Sequence, residues 1–401
     1  MRAFAISWSI RSRILRGRDD SRKGGRVAVP FVDLKAQYRA IKLEVDEAIR
    51  KVIEDAAFVL GPAVERFESD FARYLGVDSV VGTSNGTTAL QLSLLALGVG
   101  EGDEVIVPAH TFIATAEAVS HVGARPVLVD VCEDTGNLDP AAPLGATTTR
   151  TRAIIPVHLY GQPADLDPII KFAESRGIAV LEDACQAHGA AYRGVRVGSF
   201  GAASCFSFYP GKNLGAYGEA GAVATNDPDL AARVRRLRDH GQSRRYYHAE
   251  VGYNARMEGI QGAVLGVKLR HLDAWNRARA GHAAHYSAGL SDSDVEVPVT
   301  APDRDHVFHL YVVRSPNRDE LRDHLTGLGV QTGLHYPVPL HLQPAYEPLK
   351  YRPGDFPVAE RWAQEGLSLP IFPEMKRDQL DEVILGVKSF RLTAVPQPNN
   401  R

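Results

Sequence analysis

The chain has 401 residues, of which 44% are hydrophobic and 23% are charged. This composition is typical of a globular protein and excludes a chain that is disordered throughout. Its 46 lysines and arginines nearly balance its 48 aspartates and glutamates, so the formal charge of −2 gives no general attraction for nucleic acids or anionic membranes. We therefore predict neither a nucleic-acid partner nor a membrane partner.

The first 26 residues form a separate, arginine-rich segment. Its apolar run is short and lacks a small-residue cleavage site, which disfavours a secretory signal. An organellar transit peptide, a flexible tail and a translation start placed too far upstream all remain open, and we favour the last two. Residues 1–26 are therefore predicted to be a disordered basic tail.

The three cysteines, Cys132, Cys185 and Cys205, do not have the spacing of a zinc site. We predict no metal and a reducing compartment, which means the cytoplasm.

Helical periodicity of apolar residues predicts two helices near the start, over residues 31–52 and 64–75. Short runs rich in valine and isoleucine then alternate with longer helical segments. The predicted strands are residues 79–82, 104–107, 126–130, 153–157, 178–183 and 203–208. This alternation indicates an α/β domain with a largely parallel sheet.

Two further helical segments follow, over residues 228–239 and 257–286, before a mixture of shorter strands and helices. The boundary is predicted near residues 287–298. We expect a large α/β domain over residues 27–290 and a small α+β domain over residues 291–401.

Three features carry candidate chemistry. Asp183 ends an apolar strand, where α/β proteins bind ligands, although it could simply cap the next helix. Lys212 lies in a turn fixed by Pro210, and a desolvated amine there could attack an aldehyde, although surface lysines in loops are common. Residues 82–90 combine a short strand, small polar residues and a helix start, which is typical of an anion site or of an ordinary helix cap.

Together these features predict a site for pyridoxal 5'-phosphate, because its phosphate, ring nitrogen and aldehyde require these three partners. The glycines at 98, 100 and 102 follow a helix and not a strand, which disfavours a nicotinamide cofactor.

At this point the chain resembles the DegT/DnrJ/StrS family of pyridoxal-phosphate-dependent sugar aminotransferases, over residues 31–390. The motifs that carry the resemblance are residues 86–90, 107–112, 157–161, 182–189, 207–212, 218–221 and 254–257. It implies the fold-type I transferase architecture, in which a mostly parallel sheet of the seven-stranded type is followed by a smaller α+β domain.

The resemblance also implies roles for individual residues. Lys212 corresponds to the lysine that holds the cofactor and moves protons, and Asp183 to the carboxylate that faces the ring nitrogen. The other implied cofactor contacts are Gln186 at the ring hydroxyl, Phe112 stacked on the ring, Gly86, Thr87 and Ser207 at the phosphate, and Asn254 from the neighbouring subunit of a homodimer.

Residues 208–216 are similar to members that aminate C3 of a nucleotide-linked keto-deoxyhexose, as in antibiotic sugar pathways. His335 and Tyr336 match residues beside the hexose, although a rigid, proline-pinned loop explains them nearly as well. Tyr217 is a further candidate for substrate contact.

We expect an aminotransferase that uses L-glutamate as donor. Amination at C4, amination of a keto-inositol, and a non-catalytic protein that senses the cofactor or a sugar remain alternatives.

Overall fold

The computed structural model describes residues 28–390, so the predicted tail over residues 1–26 lies outside the described residues. Fourteen strands are present in this part of the chain. They are β1 Ser79–Thr83, β2 Glu104–Pro108, β3 Arg125–Val129, β4 Thr151–Ile154, β5 Ala179–Asp183, β6 Ala191–Tyr192, β7 Val195–Arg196, β8 Ala203–Ser207, β9 Gly221–Thr225, β10 Gln242–Arg244, β11 Tyr247–His248, β12 Arg304–Asp305, β13 Tyr311–Arg314 and β14 Gly366–Leu369.

Twelve α-helices accompany them in the same residues. They are α1 Leu34–Glu54, α2 Pro62–Leu75, α3 Gly86–Ala96, α4 Ala114–His121, α5 Ala142–Ala146, α6 Leu166–Glu174, α7 Pro228–Arg238, α8 Gly259–Leu269, α9 Leu272–Leu290, α10 Arg318–Gly327, α11 Pro357–Glu365 and α12 Arg377–Ser389.

Seven strands form the main sheet, in the order β1-β9-β8-β5-β4-β2-β3. β9 pairs antiparallel with both of its neighbours, whereas the pairs from β8 to β3 are parallel. The predicted α/β class with a mostly parallel sheet is therefore confirmed. Each predicted strand corresponds to a strand of this sheet, and β9 is the one that the sequence pattern did not reveal.

The parallel order brings the carboxyl ends of β1, β2, β5 and β8 to one edge of the sheet, and the antiparallel β9 begins at that same edge. Three apolar clusters cover the faces of the sheet. α3 packs against β8 and β9, and α6 packs against β5. The rigid sheet thus fixes the positions of the loops that follow these strands.

The C-terminal part is built around the antiparallel pair of β13 and β14. α9, α10 and α12 surround it, and a separate apolar cluster that includes Tyr286 and Tyr311 fills the space between them. This mixture of strands and helices agrees with the predicted α+β character, while the domain boundary itself stays a prediction. No helix in residues 28–390 has both the length and the apolar character of a membrane span.

Candidate active site

A cavity of about 970 Å³ opens at the sheet edge where the carboxyl ends of the parallel strands meet. Its lining contains nearly all of the site residues predicted from the sequence: Gly86, Thr87, Phe112, Asp183, Gln186, Ser207, Lys212, His335 and Tyr336. These residues come from the loops after β1, β2, β5 and β8 and from the segment after α10. The fold therefore brings residues that are up to 250 positions apart in the sequence into one site.

One end of the cavity is the start of α3. Asn85 caps this helix, since its side-chain oxygen accepts hydrogen bonds from the Thr88 amide at 2.8 Å and the Thr88 hydroxyl at 2.9 Å. The amides of Gly86 and Thr87 have no acceptor within the helix and point towards any anion placed there. A Cβ on Gly86 would lie 2.6 Å from the Cβ of Ser207, so glycine is required for this close approach.

Asp183 lies at the end of β5 and is buried. One carboxylate oxygen accepts a hydrogen bond from the Thr115 hydroxyl at 2.8 Å, and the other accepts one from the Cys185 amide at 3.2 Å. No lysine or arginine of residues 28–390 lies within ion-pair distance of Asp183. These two donors fix the orientation of the carboxylate, which lines the cavity and suits a cationic ligand.

Lys212 is presented by a tight turn, in which its amide donates to the carbonyl oxygen of Tyr209 at 2.9 Å. Burial lowers the pKa of the Lys212 amine below its ordinary value, and the charges of Cys185 and Asp183 oppose that shift. A lowered pKa increases the neutral fraction of the amine, which is the form that attacks an aldehyde or accepts a proton.

Gln186 connects the floor of the cavity to the C-terminal part of the chain. Its side-chain oxygen accepts from the Tyr160 amide at 2.7 Å, and its side-chain nitrogen donates to the Tyr336 hydroxyl at 3.0 Å. The Tyr336 ring lies 5.4 Å from the ring of Phe112, which is half exposed to the cavity. The two rings therefore form an aromatic wall in the same cavity as Asp183 and Lys212.

His335 adjoins this wall. It shares a 2.8 Å hydrogen bond with the Ser368 hydroxyl, and its ring stacks on that of Phe31. Burial, and then the charge of Lys212, lower the pKa of His335 to about 4. At neutral pH it is therefore an uncharged hydrogen-bonding group.

Two predicted site residues do not line the cavity. The Tyr217 ring lies beneath the Lys268 amine at 4.4 Å and beside the Tyr38 ring. Asn254 is exposed, and its side-chain oxygen accepts a hydrogen bond from Arg256 at 2.8 Å. The Tyr217 ring is thus engaged outside the cavity, and its contact with substrate stays a prediction.

The lining residues that sequence reasoning missed include Thr115, Arg279 and His309. Thr115 lies four residues after Thr111, which belongs to the motif of residues 107–112, and the two hydroxyls share a hydrogen bond. A spacing of four places two side chains on the same side of a helical turn, so the sequence did contain a signal for Thr115. Arg279 and His309 had no local signal, because only the packing of α9 against the segment before β13 brings them to the site.

The donor set fits pyridoxal 5'-phosphate. The free amides at the start of α3 and the Ser207 hydroxyl suit a phosphate, the unpaired Asp183 suits a protonated ring nitrogen, and Lys212 suits the aldehyde. The aromatic ring of Phe112 offers a surface for a flat heterocycle. This fold and site define a pyridoxal-phosphate-dependent aminotransferase.

The chain belongs to the DegT/DnrJ/EryC1/StrS aminotransferase family, whose model matches residues 39–388. It is 50% identical over 363 residues to the dTDP-3-amino-3,4,6-trideoxy-alpha-D-glucose transaminase of Streptomyces venezuelae, which covers 90% of this chain and 96% of that protein. The predicted family and enzyme class are thereby confirmed.

Solved structures of aminotransferases also match this chain over most of its length. The crystal structure of DesV from S. venezuelae matches with a TM-score of 0.89 and 50% identity, over 90% of this chain and 98% of that one. NtdA from Bacillus subtilis, with bound PMP, matches with a TM-score of 0.84 and 31% identity, over 91% of this chain and 86% of that one. The predicted cofactor, pyridoxal 5'-phosphate, is that of the family.

Proposed function

We propose that the protein transfers the amino group of L-glutamate to C3 of a keto-deoxyhexose linked to a nucleoside diphosphate. The observation that carries this proposal is the 50% identity, over 90% of the chain, to a transaminase whose product bears its amine at C3 of a dTDP-linked deoxysugar. The presence of Lys212 and Asp183 in the lining of one cavity supports it.

Lys212 and Asp183 divide the chemistry between them. When bound, pyridoxal phosphate supplies an electron sink for the carbon that is deprotonated. Lys212 would hold the cofactor, and its amine, whose pKa burial lowers, would accept and return the proton at Nζ. Asp183, oriented by the Thr115 hydroxyl and the Cys185 amide, would face the ring nitrogen and hold a proton there.

Other residues position the cofactor. Gly86, Thr87 and Ser207 would bind the phosphate, and Phe112 would offer its face to the ring. Gln186 has one amide hydrogen engaged by Tyr336, which leaves its second hydrogen for the ring hydroxyl oxygen.

The hexose occupies the side of the cavity formed by His335 and Tyr336. Burial raises the pKa of the Tyr336 phenol and lowers that of His335, so both are neutral at pH 7. Neutral donors and acceptors of this kind suit sugar hydroxyl groups.

We further propose a cytoplasmic homodimer with composite sites. Asn254 is exposed and does not line the cavity of its own chain, as expected for a residue that reaches the phosphate of a neighbour. All three cysteines are free, as a reducing compartment favours.

Product analysis tests the proposal. The holoenzyme is incubated with L-glutamate and, separately, with nucleotide-linked 3-keto and 4-keto deoxyhexoses and a keto-inositol. We expect amination of the 3-keto sugar alone. Lys212→Ala should abolish turnover, whereas Lys171→Ala, an exposed lysine on α6, should not. Preferred amination of a 4-keto sugar or of the inositol would contradict the proposed substrate.

A further inference from the structure

Arg279, on α9, is the arginine that lines the active-site cavity. Only 4% of its surface is exposed. One terminal nitrogen, Nη1, donates to the backbone carbonyl oxygens of Phe308, His309 and Ile371 at 2.9 to 3.3 Å. The guanidinium is therefore held rigidly by neutral acceptors at the junction of the large sheet and the C-terminal part.

The remaining donors of Arg279 are not used by the described protein. Its Nε is buried without a hydrogen-bond partner, and no hydrogen bond of residues 28–390 involves its Nη2. The other buried arginines of this part of the chain, Arg238 and Arg318, each form an ion pair, with Glu68 and Asp319. Arg279 has no carboxylate within ion-pair distance there.

The Glu374 carboxyl acts on Arg279 electrostatically, but the two side chains do not form an ion pair. Burial raises the pKa of the Glu374 carboxyl, and one of its oxygens is also buried without a partner. Burial likewise lowers the pKa of Arg279 to about 10, which still leaves it charged at pH 7. A buried cation without a counter-charge is costly, so the site favours an anionic ligand.

His309 also lines the cavity and is neutral at pH 7. Burial, and then the charges of Lys212 and Arg279, lower the pKa of His309 well below its ordinary value. Asn213 donates its amide hydrogens to Asn276 and Val307, so its oxygen accepts a hydrogen bond from Nδ1 of His309. His309 Nε2 is then a bare acceptor, so the positive charge of the cavity lining comes from Arg279 and Lys212.

We propose that Arg279 binds the carboxylate of the amino donor through Nε and Nη2, and so selects an α-amino acid as donor. Arg279 is nearly closed to solvent, and both its charge and that of Lys212 act on His309. This arrangement suits a small carboxylate attached to the reacting carbon better than a nucleotide diphosphate at the far end of a sugar. This inference rests on the proposed transfer from L-glutamate.

Equilibrium binding tests the inference without turnover. Glutarate, an unreactive dicarboxylate, is titrated into the holoenzyme by calorimetry. Loss of a charge-assisted contact in Arg279→Gln should weaken binding by about 10- to 100-fold. Arg318→Gln is the matched control, because Arg318 also donates to backbone carbonyls, of Ala363 and Gly366, but lies outside the cavity. Unchanged glutarate binding in Arg279→Gln would overturn the inference.

A second titration tests whether Arg279 binds the diphosphate of the nucleotide and not the carboxylate of the donor. dTDP is titrated into the same variants. We expect its affinity to be the same in Arg279→Gln as in the unmodified protein. A loss of dTDP affinity with glutarate affinity unchanged would assign Arg279 to the diphosphate and overturn the inference.

The two half-reactions separate a carboxylate site from a structural role. Single-turnover absorbance follows the cofactor with L-glutamate and, in reverse, with a nucleotide-linked 3-aminosugar. Arg279→Gln should slow only the first reaction, by about 10- to 100-fold at low glutamate. An equal loss in both would indicate a structural role. Failure of the unmodified enzyme with L-glutamate alone would instead refute the proposed donor.

Arg279→Lys covers the case in which the glutamine variant does not fold. Lysine keeps the charge but loses the planar fork. We expect the KM for L-glutamate to rise about tenfold while kcat with the aminosugar is retained. An unchanged KM would overturn the inference.

Discussion

Thr115 donates a hydrogen bond of 2.8 Å to a carboxylate oxygen of Asp183, and both side chains are buried. The Thr115 hydroxyl in turn accepts from Thr111, at 3.1 Å, because its single hydrogen is committed to Asp183. This chain of donors fixes the orientation of the carboxylate that is proposed to face the cofactor ring.

We therefore expect Thr115→Val, which keeps the shape but removes the donor, to lower kcat about tenfold, as expected for one hydrogen bond to a charged group. Steady-state kinetics with saturating donor measures this change. Thr115→Ser restores the hydroxyl and should recover most of the activity. If valine and serine behave alike, the hydroxyl does not act on Asp183.

Gly86→Ala tests the close approach of α3 to Ser207. The added Cβ would lie 2.6 Å from the Ser207 Cβ and 3.0 Å from the Cys185 sulfur, so the start of the helix must shift. Overpacking of this kind costs about 1–3 kcal/mol, and we expect cofactor affinity to fall by about tenfold or more. Fluorescence titration with pyridoxal phosphate measures the affinity.

Gly145→Ala is the control for the glycine substitution, since nothing lies within 4 Å of a Cβ at that exposed position of α5. Its cofactor affinity should be that of the unmodified protein. Equal affinities for the two alanine variants would refute the phosphate site at Gly86.

Much of the fold is predictable from sequence because parallel strands buried on both faces read as short apolar runs between turns. The sequence did not predict β9, because Gly221–Thr225 consists mainly of small residues with weak strand preference. Residues 257–286 read as one helix because their apolar period continues, whereas the chain divides them into α8 and α9 at Arg270 and His271.

Some residues of the site are likewise predictable from sequence, and others are not. Asp183 and Lys212 follow predicted strands, so strand order alone brings them to one edge. Arg279 and His309 come from helix and loop positions whose approach depends on tertiary packing, which no local pattern encodes. Tyr217 lies in the loop that carries Lys212, but packing against Lys268 turns it elsewhere.

Stability should fall in acid because of buried histidines. His188 is fully buried, and neither ring nitrogen has a partner in the described protein. Burial, and then the charge of Lys212, lower its pKa from 6.5 to about 3. Below pH 6.5 the unfolded chain therefore binds more protons than the folded one, and the free energy of unfolding falls as the pH drops towards 3.

For His188 this loss amounts to about 2 kcal/mol between pH 7 and pH 5. His188→Phe, which retains packing against Phe206 and Phe208, should reduce the pH dependence by that amount. Urea denaturation at both pH values provides the measurement. An unchanged difference between the two pH values would show that His188 does not titrate as described.

Mixing two inactive variants tests the composite site. Lys212→Ala lacks the amine and Asn254→Ala lacks the side chain proposed to reach the neighbour. A mixed dimer contains one site with both defects and one site with neither. Mixing after partial denaturation and refolding should therefore restore measurable activity, whereas either variant refolded alone should not gain any. No recovery in verified mixed dimers would contradict the shared site.

The most direct measurement of the central claim is the fate of the donor nitrogen. Holoenzyme is incubated with ¹⁵N-labelled L-glutamate and a nucleotide-linked 3-keto-deoxyhexose, and the sugar is examined by NMR. The account predicts ¹⁵N bonded to C3, and none in the sugar with Lys212→Ala. Label at another carbon, or an unlabelled sugar with the unmodified enzyme, would contradict it.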